Sequence, residues 1–399
     1  MITSILKFGL SDGLAKIATF LTTLYVAKSL SPDLFGMYSL VVVMFEITFI
    51  LISFNIQATT RIDYFKETES SFSIIKKNHI SITLIILCLL SVSLFFIETN
   101  HRLILLLLLS CALLRTLSAF IMAIFQCSGK VNSYVISNII FVLFLAMFTF
   151  IFVTLGMSYL SWLYSMLIAS TVQLIVVINI FGVRSFKKYL PTRFAVESLK
   201  KTFIPAALFM PQALGWWLKS GAERIIISDS LGNVVLGVYA LAVQFASITF
   251  MYVTILNLAL VPEINKLIQR RNFEEMHKYL LMSSFSLIII CALIGILGFL
   301  VIDHIYSYDY ILAKSYLPFL LMASLPQAIM LIYINVLYFN KEGKFVATLI
   351  MTTFSIQAVI NFFLIDYFGI YGVISVSLVI NTTALFCVIN KIRQLKYNF

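Results

Sequence analysis

One passage of this chain is written twice, and that repetition limits what the whole can fold into. Residues 29–49, SLSPDLFGMYSLVVVMFEITF, return at one constant offset as residues 230–250, SLGNVVLGVYALAVQFASITF. Ser29, Leu30, Gly36, Tyr38, Leu40, Val42, Ile47, Thr48 and Phe49 are matched by Ser230, Leu231, Gly237, Tyr239, Leu241, Val243, Ile248, Thr249 and Phe250. The same offset pairs Lys77 with Lys278, each just before an apolar run. Identities at that density mark an internal duplication, so the chain has to fold as two copies of one plan.

The apolar runs say what the plan is. A helix crosses a bilayer in about 20 residues. Runs of that length fall at 5–29, 34–57, 78–98, 102–126, 134–156, 159–182, 203–228, 233–260, 279–302, 313–338, 345–365 and 368–390. They are apolar on all sides and too long for transmembrane strands, which alternate over about ten residues. A chain that is 61% hydrophobic and 11% charged, with 36 Phe in 399 residues, could not hide that surface from water. The expected fold is an all-α integral membrane protein of twelve transmembrane helices. Residues 1–183 and 203–399 would form two six-helix lobes joined by a linker at 184–202. An even number of helices per copy brings both copies in from the same side, giving a pseudo-two-fold along the membrane normal.

The net charge of +11 would point to nucleic acid in a soluble protein, but here orientation accounts for it. With the N-terminus in the cytoplasm, only Lys28, Arg102 and Lys314 fall outside, and Lys16, Arg115, Lys219 and Arg224 fall within spans. The other Lys and Arg collect inside, among them Lys7, Lys76, Arg193, Lys396 and the rest of the linker GVRSFKKYLPTRFAVESLKK, whose charges also suit anionic lipid. The expected location is the bacterial cytoplasmic membrane with both termini cytoplasmic. Lys7, Asp12 and Lys16 in the first run argue for a retained first span rather than a cleaved leader. The five cysteines show neither CxxC nor Cys/His spacing and imply no disulfide and no metal.

LSPDLFGMYSL, SGAERIIISDSLGNVVLGVYALA and YFGIYGVISVSLVIN, with the Gly129-Lys130 and Gly343-Lys344 turns, resemble the polysaccharide-transport (Wzx-type) branch of the MOP exporter superfamily. The resemblance covers the whole chain, and its motifs are structural rather than catalytic. It implies a MATE-like, V-shaped carrier of two six-helix lobes. Such a carrier moves undecaprenyl-pyrophosphate-linked oligosaccharide units from the inner to the outer leaflet. The compact length favours O-antigen or capsule repeat units. Other membrane proteins of polysaccharide assembly are possible partners.

Charges within spans mark where function lies, since each costs several kcal/mol against lipid unless it meets a partner or water. Lys16 and Lys219 lie in equivalent helices of the two copies and could look into one shared cleft. With Arg115 and Arg224 they are candidates for pyrophosphate, which Arg grips through its planar fork and Lys meets as a point charge. Trp216 and Trp217 are too deep for the interfacial belt and could stack on sugar rings or pack the protein. Asp12, Glu46 and Glu223 are the candidate ion-coupling acids. Blander readings stand beside these. Asp12 with Lys16, and Lys219 with Glu223, are four apart and could neutralise each other. Arg224 is close enough to the outer end to snorkel, and Arg115 could pin its helix to a neighbour. Pro205, Pro211, Gly215 and Gly221 predict a bent seventh span, and Pro318 and Pro326 a bent tenth.

Catalysis has little to work with. His79, His101, His277 and His304 fall near span ends, without HxxxH spacing, a nucleophile constellation or a Gly-rich phosphate loop. No cofactor and no enzyme activity is expected. A small-molecule or multidrug antiporter of the same superfamily is the alternative function. A polymerase would want a large outer loop and an acyltransferase a His-centred site, and the duplication suits neither. The orientation is open to a direct check. A fluorescent protein fused to the C-terminus should fluoresce and alkaline phosphatase fused there should be inactive, and the opposite pair of results would place that end outside.

Overall fold

The computed structural model describes residues 2–96, 98–191 and 196–395; Arg193 and Lys396 lie outside the described residues, and so does the side chain of Lys7. Every regular element among the described residues is helical. In chain order these are α1 (Ile2–Ser29), α2 (Pro32–Ser53), α3 (Ile56–Lys66), α4 (Glu69–Val92), α5 (Thr99–Cys127), α6 (Val131–Thr154), α7 (Ser161–Phe181), the short α8 (Val183–Lys187), α9 (Val196–Trp217), α10 (Glu223–Leu231), α11 (Asn233–Gln269), α12 (Phe273–Ile305), α13 (Ile311–Phe339) and α14 (Gly343–Gln394). Among the described residues, nine helices are long and apolar enough to cross a membrane. Their outward faces carry side chains such as Leu89, Phe95, Phe363 and Val379 at 62–81% exposure, which only lipid would leave without penalty.

Each expected span has its helix, two spans are more broken than hydropathy could indicate, and two run together. The second ends at Phe54 and Asn55, whose φ of 43° and 57° lies in the left-handed region, and the chain then resumes as α3. The carbonyls of Ser53 and Phe54 that the break frees are met by His79 of α4, whose Nε2–H donates to both at 3.2 Å. An orphaned carbonyl in lipid would cost several kcal/mol, so His79 fills a structural need. The seventh span is divided into α9 and α10 by a π-helical turn at Leu218–Ala222. The eleventh and twelfth form one long α14 that folds at Gly369, where φ is 54° and ψ −148°, a combination open to glycine.

The described chain packs as two compact units. Unit 1 is Met1–Thr22 with Val41–Trp217, and unit 2 is Thr23–Leu40 with Leu218–Phe399. In unit 1, α7 packs on α5 and α6, and α9 on α4. Its core includes Ile56, Ile80, Phe120, Phe125 and Val177. In unit 2, α11, α12, α13 and α14 pack side by side.

The start of α2 packs within unit 2, so both copies of the repeated passage meet there. Gly36 of α2 is so close to the first residue of α11 that a Cβ would collide with the carbonyl of Asn233. Gly237 of α11 is as close to the first residue of α2, and a Cβ there would collide with the carbonyl of Pro32. The contact is reciprocal: each copy supplies a glycine and a helix start. Around it Phe35 and Tyr38 stack at 5.6 Å, and the Tyr310 hydroxyl donates to the Leu30 carbonyl at 3.1 Å. Neither backbone carbonyl can give way cheaply. Gly36→Leu and Gly237→Leu should therefore each reduce the yield of folded protein, by a cost of about 1–3 kcal/mol or more. Transport per folded molecule should stay normal, which quantitative membrane expression beside an export assay will show; normal yield with failed export would make these glycines hinges instead.

Candidate functional site

The π turn of unit 2 inserts an extra residue into the ladder, a feature frequent at functional sites. It carries Lys219, and α10 opens on Glu223. The ammonium of Lys219 donates to Oε1 of Gln327 on α13 and, at 3.1 Å, to Oδ1 of Asn381 on α14. It also stands 5.2 Å from the centre of the Phe354 ring. Asn381 is itself held by its amide nitrogen on the Ala323 carbonyl at 2.7 Å, which turns its oxygen toward the lysine. Glu223 is 8% exposed. It accepts from the Tyr239 hydroxyl on one oxygen, and from Gln357 Nε2 at 2.9 Å and Ser377 Oγ at 3.3 Å on the other.

The two charges are thus each solvated by neutral groups of α11, α13 and α14, rather than by a contact ion pair with each other. Hydrogen bonds to a charged partner are worth about 1.5–3 kcal/mol apiece, which offsets much of the burial cost. Beyond Gln357, one turn on, Asn361 is 1% exposed and neither its Nδ2 nor its Oδ1 has a hydrogen-bond partner. The same α14 stripe carries an unpartnered Oε1 on Gln357. Arg224 is half-buried on α10 beside this cluster.

Other sequence candidates belong to unit 1. Asp12 accepts from the Tyr134 hydroxyl at 2.9 Å and from Asn138 Nδ2 at 3.2 Å. Lys16, one turn further along α1, is exposed. Glu46 is also exposed on α2, because Val43 and Phe45 take the buried directions of that turn. Arg115 donates to Oε1 of Gln173 on α7 and lies 4.0 Å from the Phe141 ring of α6. It ties three helices together, the pinning role set against phosphate binding above. Trp217 donates its indole N–H to the Val43 carbonyl at 2.8 Å, and Trp216 is half-buried.

Sequence reasoning looked for charges and passed over Gln327, Gln357, Asn361, Ser377 and Asn381. The available signal was polar amides inside apolar runs, with Gln357 and Asn361 four apart on one helix face. It also placed Lys76 among the solvated inner charges. In the structure that side chain is wholly buried, 2.7 Å from Asp63 and 3.1 Å from Thr59 Oγ1. The cation turns inward because α3 brings Asp63 and Thr59 onto α4 one helical turn apart.

A family model described as "Polysaccharide biosynthesis protein" matches residues 3–268, and a second, MatE, matches residues 223–365. No curated protein matches significantly. Among solved structures the chain is similar to an inward-facing multidrug resistance MATE family transporter of the MOP superfamily, at 15% identity and a TM-score of 0.63, covering 99% of this chain and 96% of that one. A MOP superfamily transporter from Pyrococcus furiosus gives 15% identity and a TM-score of 0.60, covering 98% and 95%. A MATE transporter in complex with MaD3S gives 14% and 0.61, covering 100% and 97%. The fold is therefore that of MATE and MOP superfamily transporters, as the repeat and hydropathy predict.

Removing a donor from the buried carboxylate tests the cluster. Tyr239→Phe should destabilise the protein by about 1–3 kcal/mol, read as a lower unfolding midpoint in detergent. The loss should shrink in a Glu223→Gln background, where no full charge needs the hydroxyl.

Proposed function

Because the chain belongs to the polysaccharide biosynthesis protein family, we propose that it is a flippase. Its cargo would be undecaprenyl-pyrophosphate-linked oligosaccharide repeat units of O-antigen or capsule, carried from the inner to the outer leaflet of the bacterial cytoplasmic membrane. The observation that carries the reading is Lys219, a cation held within a transmembrane unit by the neutral oxygens of Gln327 and Asn381. A lysine so held has no carboxylate in contact, and an incoming pyrophosphate can take over those hydrogen bonds. Lys16, in the equivalent helix of the first copy, is exposed and is the second phosphate-binding lysine of this proposal. Arg224 supplies a further cation, and Trp216 an aromatic face for sugar. Arg115, already committed to Gln173 and Phe141, contributes by fixing α5.

An ion gradient or consumption of the product outside drives the cycle. Glu223, amid hydroxyl and amide donors, the exposed Glu46 and the half-buried Asp12 are the coupling acids of this proposal. A small-molecule antiporter is the second reading, favoured by the MatE match over residues 223–365. The two differ in the sign of the cargo, since half-buried and exposed cations repel a cationic drug and attract an anionic lipid.

Deletion in the source organism, followed by analysis of lipid-linked sugars and surface polysaccharide, separates them. Loss of surface polymer with accumulation of the lipid-linked unit is expected, whereas intact polymer with altered drug sensitivity would favour the antiporter. In a complemented strain, Lys16→Ala and Lys219→Ala should abolish surface polysaccharide at normal protein level, and reversal to Glu should be worse than Ala. Normal polymer from both alanine variants would remove the two lysines from the substrate path. Glu46→Gln should weaken the response of export in vesicles to an imposed pH gradient; an unchanged response moves the coupling to Glu223.

A further inference from the structure

A cavity of about 790 Å³ opens in unit 1 between α3, α4 and the start of α9, within the ~300–1,000 Å³ range of small-molecule sites. The transport reading uses none of its residues. Asp63 lines it and is closed at 2.7 Å onto Lys76, whose side chain is wholly buried behind the lining, so those charges cancel each other. The other charges among the described lining residues are exposed. Lys66 at the end of α3 and Lys200 and Lys201 on α9 are all exposed, and Glu67 is the carboxylate that opposes them. Among the described residues, three ammonium groups against one carboxylate leave a cationic mouth.

The walls have a different chemistry. Ile62, Ile74 and Ile204 line the same cavity and are 37%, 52% and 59% exposed. A free inorganic ion would gain nothing from them. An amphiphile gains from both parts, with its phosphate against lysines that act as point charges and its chains along isoleucine. The lysines belong to the side of the chain where most Lys and Arg collect, and such clusters draw anionic lipid headgroups.

We propose that this cavity binds the phosphate headgroup of an anionic membrane lipid, held by Lys66, Lys200 and Lys201, with its chains along Ile62, Ile74 and Ile204. The ligand would bridge α3, from the first sequence copy, to α9, the first helix of the second. Lipid composition would then act on the helix that leads to Lys219. The inference stands on this cavity alone and holds whatever cargo the protein carries.

The test uses the full-length protein purified in a neutral detergent, with its unfolding midpoint followed as lipid is added. Phosphatidylglycerol should raise the midpoint, and phosphatidylcholine and inorganic phosphate should not. The triple variant Lys66→Gln, Lys200→Gln, Lys201→Gln should need on the order of tenfold more phosphatidylglycerol for the same rise. The triple variant Lys130→Gln, Lys278→Gln, Lys344→Gln removes equal charge from exposed positions outside the cavity and should respond as the parent does. Filling the cavity with Ile74→Trp should also blunt the response, by a route that leaves every charge in place. Equal responses from the two triple variants, an undiminished response in Ile74→Trp, or the same rise with phosphatidylcholine or inorganic phosphate would each overturn the proposal.

Discussion

Lipid offers no hydrogen bonds, and the architecture of this protein follows from where it nevertheless keeps charged and unpaired polar groups. Most of the charged ones have recruited a specific answer from the chain. Lys219 and Glu223 are met by amides and hydroxyls, Arg115 by an amide and an aromatic face, and Lys76 by Asp63 and a threonine. The same holds for backbone: the break after α2 survives because His79 covers the carbonyls it frees. Apolar packing alone would have been simpler to satisfy, so each exception marks a place where the fold accepts a cost for something other than cohesion.

The choice of neutral partners in unit 2 bears on function. A buried lysine locked to a carboxylate is a closed pair, and separating it leaves two bare charges. A lysine on amide oxygens can trade one set of neutral acceptors for another acceptor with less disturbance. The carboxylate of Glu223, cradled by donors of α11 and α14, couples its own charge state to the packing of α10 against those two helices. The family match and the fold place this chemistry in a transporter-like scaffold, and the amides make it adjustable.

Much of the fold was legible because bilayer thickness sets helix length, and hydropathy reads helix length well. The helices of both copies fall where the apolar runs put them, and the duplicated glycines prove to be points of close backbone approach. The breaks were harder to see. Nothing in FNIQ advertises a left-handed pair at Phe54 and Asn55, and the prolines of the seventh span pointed to bending without revealing a π turn at Leu218–Ala222. The site was half legible. Charges stand out against an apolar background, so Lys219 and Glu223 were found. Gln327, Gln357 and Asn381 resemble ordinary polar spacing until the fold brings them together from positions more than a hundred residues from the π turn. Exposure was less legible still, since mid-span position says how deep Glu46 and Lys16 lie and nothing about which way they face.

The reciprocal contact of Gly36 with Asn233 and Gly237 with Pro32 carries a record of ancestry. It is isologous in character: the same surface element appears on both sides, each glycine seated against the other copy's helix start. In a half-length ancestor with a single copy of the passage, that surface could have met its own kind only on a second polypeptide. The duplication turned a contact between molecules into one within a chain. After fusion the two sides were free to diverge, and among the described residues the π turn that carries Lys219 lies in the second copy.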